Sequence, residues 1–251
     1  ELISVSNWFR VNKLSLNLNK TKYMLFSNSA RELPHEVIIN NICIEKTDCL
    51  KFLGLVIDSG LTWRNHVDYL CKTISRNIGV INRIKHFVPH DVLFSLYSTL
   101  VVTYLNYGIL AWGNCTLSNT DRLLRLQKRA LRIINFSEFN AHTDPLFFKH
   151  KTLKIKDIYR FQLGCLMYQS IRDMVPSSIN SIFTRNFNVH NHLTRQALCF
   201  HLPSTRTTFA QKTIRYDGPK LWNSLSDSLK QSTNFLIFKK TYKSTLLKGY
   251  C

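Results

Sequence analysis

Hydrophobic positions follow one rhythm over the first 58 residues of this chain and another from Ser59-Gly60 onward. Leu2, Val5 and Phe9 recur at steps of three and four, with Trp8 less regular, which predicts a short amphipathic helix over residues 1–12. KTKYMLFS (20–27) reads as a strand, rich in aromatic and aliphatic side chains at its end. Pro34 marks a loop, and VIINNICIE (37–45) predicts a hairpin turning at Asn40-Asn41. Residues 50–57 are nearly all apolar, the pattern of a strand buried on both faces.

From residue 64 the spacing becomes helical. Val67, Leu70, Ile74, Ile78 and Ile81 predict a helix over 64–87. Pro89, followed by Asp91, opens the next, and Ser118-Asn119-Thr120-Asp121 supplies capping chemistry for a third running to about Asn135. Residues 135–145 read as a linker and 155–172 as a helix. Residues 176–218, rich in Ser, Thr, Asn and His, read as loops, and 235–248 as a last helix. No internal repeat or low-complexity tract interrupts this order. The expected fold class is α+β, mainly helical.

Residues 92–112 carry no charge, and a run of that length can span a bilayer. Its polar members Ser95, Thr99 and Thr103 stand four apart and share one stripe. That predicts a buried helix whose small face admits a close neighbour; packing between membrane helices would look the same. With no second such run, a membrane role is the less favoured alternative.

Charge changes the picture more. The chain has 34 Lys+Arg against 15 Asp+Glu, a formal net charge of +19. Residues 1–60 contribute 7 basic and 6 acidic groups, 61–135 contribute 10 and 3, and 136–251 contribute 17 and 6. Such an excess points to a polyanionic partner, contacted by the last three quarters of the chain. Arg122, Arg125, Arg129 and Arg132, with Lys128 beside them, are spaced to share one helix face. A row with that rise can meet successive phosphates. A merely solvated basic face is the alternative.

The seven cysteines are scattered, form no CxxC pair and follow no secretory signal, as expected of reduced intracellular thiols. His190-Asn191-His192 is too compact for a nuclease site, and no GxxxxGK[ST] phosphate loop occurs.

NKLSLNLNKTKYMLF (12–26), KFLGLVID (51–58) and LQKRALRII (126–134) resemble the downstream part of a non-LTR, jockey-like retrotransposon reverse transcriptase. LTWRNHV (61–67), YGILAWG (107–113) and YDGPKLWNSL (216–225) extend the resemblance. It implies three parts: the end of a polymerase palm with its primer-grip strands (1–60), a helical thumb (61–136) and a basic C-terminal region (137–251). By that match 51–58 is the primer-grip hairpin at the palm–thumb junction, where Phe52, Leu53, Gly54 and Leu55 press on the primer backbone. Lys20, with Lys22 as its rival, assists departure of pyrophosphate. The implied partners are an RNA template, a DNA primer and the upstream palm and fingers, with no small-molecule cofactor. The implied setting of the parent element is the nucleus and cytoplasm. Trp63, Trp112 and Trp222 are expected as core anchors.

The chain departs from a working polymerase in its carboxylates. Two-metal phosphoryl transfer needs acidic groups converging on ions roughly 4 Å apart, in this family an Asp pair in an aromatic-X-Asp-Asp hairpin. No two acidic residues are adjacent here, and Asp48, Asp58 and Asp68 stand ten apart. The magnesium of the parent enzyme therefore has no expected ligands in this chain, which also opens on Glu1 rather than Met. The expectation is a C-terminal piece that holds nucleic acid without copying it. A stand-alone or domesticated nucleic-acid binder is the principal alternative.

Overall fold

The computed structural model describes residues 2–26, 36–39, 42–189 and 199–250. It is mixed α and β, about 58% helical, and divides into two units, Glu1–Tyr69 and Leu70–Cys251. Pro34, the turn at Asn40-Asn41 and His190-Asn191-His192 lie outside the described residues.

The first unit begins with α1 (Leu2–Val11). The apolar side expected for this helix is not buried: Val5 is 48% and Trp8 58% exposed. After a turn over 18–20, β1 (Lys22–Tyr23) runs parallel to β3 (Ile42–Lys46), with Lys22 opposite Glu45. The strand expected over 20–27 thus shrinks to two residues. β2 (Val37–Ile39) pairs antiparallel with β3, Ile39 opposite Ile42, as the VIINNICIE pattern predicts.

Residues 50–57 differ from the single strand that their apolar run predicts and form the hairpin that the resemblance implies. They are not one strand buried on both faces but two, β4 (Cys49–Phe52) and β5 (Leu55–Asp58), paired antiparallel from Cys49–Asp58 to Phe52–Leu55. Leu53 and Gly54 form the intervening turn with φ of 45° and 82°. Two consecutive left-handed residues are the backbone of the tight hairpin whose twist matches the strands. Glycine meets that demand at the second position without strain.

Beyond the hairpin the chain reverses through left-handed Leu61 and Trp63. Asp58 holds this reversal: its Oδ1 accepts from Thr62 N and its Oδ2 from Trp63 N, both at 2.9 Å. The turn delivers α2 (Arg64–Ile84), in which Val67, Leu70, Ile74, Ile78 and Ile81 are all buried, as their spacing predicts. Trp63 itself stays half-buried, so of the three tryptophans expected as core anchors only Trp112 and Trp222 are.

In the second unit the uncharged run is broken into pieces. α3 (His90–Tyr97) continues through a π-helical segment, Ser98–Val102, into α4 (Thr103–Asn106). Tyr107 then turns extended, Gly108 adopts φ of 60°, and α5 (Ile109–Trp112) starts afresh. No helix among the described residues is long and apolar enough to cross a membrane. The small-residue stripe is also not a packing face. Leu93, Tyr97, Val101 and Leu105 are buried instead, while Ser95, Thr99 and Thr103 are exposed and bond back to carbonyls of their own helix.

α6 (Leu117–Ile134) has its N-cap at Thr116, ahead of every residue of the expected Ser118–Asp121 cap. Asn119 and Thr120 are therefore first-turn residues, and both are buried. α7 (Asp144–Lys149) and α8 (Ile155–Ile171) follow. The serine-rich stretch holds α9 (Ser177–Asn180), a 3-10 turn at Asn186–Asn188 and α10 (Thr208–Gln211). α11 (Ile214–Ser224), α12 (Asp227–Lys230) and α13 (Phe235–Lys248) end the chain.

Aromatic packing holds this C-terminal part. Tyr168, Phe183, Phe200, Trp222, Phe238 and Tyr242 share one core with Cys165, Met167 and Leu229. The YDGPKLWNSL motif lies on α11 and feeds that core directly. Trp222 is 2% exposed, and Asp217 accepts from Tyr159 OH at 2.9 Å and from Asn114 Nδ2 at 3.2 Å. Met167 packs so closely on Gly218 that a Cβ there would come within 2.7 Å of its Sδ and force a shift.

Candidate nucleic-acid interface

α6 carries the arginine row because its inward face is unambiguous. Leu123, Gln127, Ala130, Leu131 and Ile134 are buried, which turns Arg122, Arg125, Lys128, Arg129 and Arg132 toward the opposite side. Fully buried Gln127 fixes the helix in place: its Nε2 donates to Leu153 O at 3.2 Å and its Oε1 accepts from Ile155 N at 2.8 Å. The side-chain amide thus closes the backbone at the start of α8, where an apolar residue would strand both groups.

The row is not uniform. Arg125 and Arg129 are exposed, one helical turn apart, whereas Arg122, Lys128 and Arg132 are half-buried. Arg132 Nε donates to Ala141 O at 2.8 Å, so part of that guanidinium secures the loop after α6. Arg125 Nε reaches Asp121 O at 3.4 Å within its own helix. Asp121, the one carboxylate on this face, pairs with Lys156 of α8 at 2.9 Å. Its charge is thereby offset by that lysine. The spacing of the row was legible in the sequence; Gln127 and Lys156, which support it, were not, because each acts through a partner distant in sequence.

In the first unit the hairpin tip presents Phe52 and Leu53, 56% and 74% exposed, with Gly54 also exposed and Leu55 half-buried. A large apolar residue held both in water and at positive φ is disfavoured twice. Lys51 adds a cation beside the tip, its Nζ 5.0 Å from the centre of the Tyr69 ring. Lys20 sits exposed on the turn before β1, its backbone N–H bonded to Asn17. Its rival Lys22 is committed to Glu45 at 2.9 Å. The hairpin and the arginine row belong to different units, and the structure describes each by itself.

A two-metal centre does not fit the described residues. No three His, Cys, Asp or Glu side chains converge among them. Asp58, the most buried of the spaced aspartates, spends both oxygens on backbone N–H groups. Burial pushes the Cys115 and Cys165 thiols up to about 11, so neither is a thiolate at neutral pH.

The chain is similar to RNA-directed DNA polymerases of non-LTR mobile elements, as its motifs imply. One such relative is the RNA-directed DNA polymerase from mobile element jockey of Drosophila funebris, 27% identical over 150 residues, 59% of this chain and 16% of the relative. Another is the probable RNA-directed DNA polymerase from transposon X-element of Drosophila melanogaster, 22% identical over 159 residues, 61% of this chain and 17% of the relative. The match thus spans about one sixth of each of these curated relatives. No family model matches the chain, and no solved structure does.

Proposed function

We propose that this chain is the C-terminal part of a non-LTR retrotransposon reverse transcriptase, which holds template RNA and DNA primer and does not copy them by itself. Residues 1–60 end the palm and carry the primer-grip hairpin, 61–136 form the thumb, and 137–251 form a basic region that follows it. The observation that carries this reading is the likeness to two RNA-directed DNA polymerases over about 60% of the chain. The hairpin supports it physically. Phe52, Leu53, Gly54 and Leu55 form a strained apolar tip suited to pressing on a primer backbone, and Lys20 faces the incoming nucleotide's pyrophosphate. Arg122, Arg125, Lys128, Arg129 and Arg132 then track the phosphates of the hybrid.

One observation favours a polymerase part over a stand-alone binder. The first unit buries few apolar side chains yet exposes Val5, Trp8, Val11, Leu14 and Phe26 besides its hairpin tip. Apolar surface on that scale is the mark of a docking face, and the upstream palm and fingers of the parent enzyme are its occupant.

The test is binding of an RNA–DNA hybrid by the full chain, followed by fluorescence anisotropy between 50 and 200 mM salt. Affinity should fall as a steep power of salt, and magnesium with deoxynucleotides should give no primer extension. Absence of hybrid binding overturns the holding role; template-dependent incorporation overturns the assignment as non-copying.

A further inference from the structure

The second unit has a groove that neither the polymerase likeness nor the arginine row accounts for. It encloses about 500 Å³, inside the roughly 300–1,000 Å³ range of pockets that take small ligands. Val102, Ile158, Phe161 and Leu236 give it an apolar lining. Asn106 donates its Nδ2 to Val102 O at 3.1 Å and accepts from Gln162 Nε2 at 3.5 Å, which orients the Gln162 amide and leaves its Oε1 as an acceptor of the kind that pairs with a base edge. Leu236 on α13 is 76% exposed, so its side chain offers apolar surface at the mouth of the groove.

Three lysines of α13, Lys239, Lys240 and Lys243, complete the lining, and it contains no carboxylate. Among the described residues none of the three makes an ion pair. Lys243 is half-buried, and burial, reinforced by Lys151, holds its ammonium below the ordinary lysine range. Like charges gathered without counter-ions at an apolar cleft are complementary to a ligand with anionic and flat apolar parts. Unpaired nucleotides have both.

We infer that this groove binds single-stranded nucleic acid, a base lying on the Phe161–Leu236 floor and the flanking phosphates meeting Lys239, Lys240 and Lys243. The inference rests on the proposed function and adds a second contact, for strand that has left the hybrid. A seated base excludes a duplex, because pairing would hide the edge that Gln162 addresses. Base stacking with lysine-bound phosphates gives binding indifferent to sequence.

The test uses the full chain and a short oligo(dT) carrying 2-aminopurine. The triple variant Lys239→Gln, Lys240→Gln, Lys243→Gln should lower the slope of log K against log salt by about 2, at roughly 0.7 per phosphate contact on a single strand. A charge-matched control, Lys13→Gln, Lys46→Gln, Lys248→Gln, should change it by less than half as much. Leu236→Asn alters no charge. It should abolish the fluorescence change and weaken binding roughly threefold to tenfold at an unchanged slope, as expected for loss of one apolar contact. Thermal melts of each variant verify folding, which these exposed or half-exposed positions do not threaten. If the wild type binds oligo(dT) but the triple variant matches the control, the groove assignment falls and the proposed function stands. If the wild type binds neither hybrid nor single strand, both fall. Binding of anionic phosphatidylserine vesicles but not oligo(dT), lost in the triple variant, overturns the assignment in favour of lipid.

Discussion

Arg125 and Arg129 are the pair in the arginine row whose removal tests nucleic-acid contact without testing stability at the same time. Both are exposed and one turn apart, about 6 Å along the helix axis. Neither guanidinium holds another segment of the fold, since Arg125 reaches only Asp121 O of its own helix at a long 3.4 Å. Each phosphate contact releases counter-ion equivalent to a salt exponent of about 0.7–0.9, so Arg125→Gln with Arg129→Gln should lower the slope by about 1.4–1.8. Between 50 and 200 mM salt that difference amounts to about seven- to twelvefold less loss of affinity. The assay is hybrid binding by anisotropy across that range, with a thermal melt of the same variant. Arg132→Ala serves as the contrast. It also gives up the 2.8 Å bond to Ala141 O, so it should lower stability by about 1 kcal/mol besides lowering the slope. A double variant with an unchanged slope would refute the claim that this face meets phosphates.

Three further outcomes follow from particular contacts. Leu53→Asn puts a residue tolerant of left-handed φ before Gly54 and should stabilise the first unit by about 1 kcal/mol in urea melts. The same change should weaken hybrid binding, and equal or tighter binding would show that Leu53 presses on nothing. Two glycines should respond oppositely to alanine. Gly79 on α2 has nothing near a new Cβ, so Gly79→Ala should stabilise by about 1 kcal/mol. At Gly164 on α8 the Cβ would strike the Tyr242 ring, and overpacking of about 1–3 kcal/mol should outweigh that propensity gain; melts of equal or opposite order would refute the close approach. Finally, burial lowers His66 from 6.5 to about 4, while its Nδ1 accepts from Val56 N. The unfolded chain then takes up a proton below 6.5 that the folded chain refuses. The stabilising contribution is complete above pH 6.5 and is lost as pH falls toward 4, at about 1.4 kcal/mol per unit and about 3 kcal/mol in all. His66→Gln should flatten that part of the stability profile, and an imidazole titrating near 6.5 by NMR would contradict it.

Local spacing was enough to place the long helices. The five apolar residues of α2 follow from the 3.6-residue period alone, because one buried face leaves a strong repeat. The arginine row was legible for the same reason. The 50–57 run was not, since an apolar stretch reads alike whether it passes through a core or folds back with its tip in water. Only Gly54 marked the turn, and a glycine inside a strand signals a bulge equally well.

What the sequence determined by itself is therefore what neighbours along the chain can decide: helical periodicity, the excess of positive charge, the lack of adjacent carboxylates and the motifs shared with a polymerase family. Tertiary structure decided the rest. It set which apolar residues are left outside, as at Phe52, Leu53 and Leu236, and which polar ones are consumed inside, as at Asp58 and Gln127. It also gathered the lysines of α13 around a cleft whose apolar walls come from residues scattered between 102 and 236. The physical reason is that burial and electrostatic pairing are properties of position in space. Gln127 and Ile155 are 28 residues apart in sequence yet hydrogen-bonded at 2.8 Å, a separation that no periodic pattern reports.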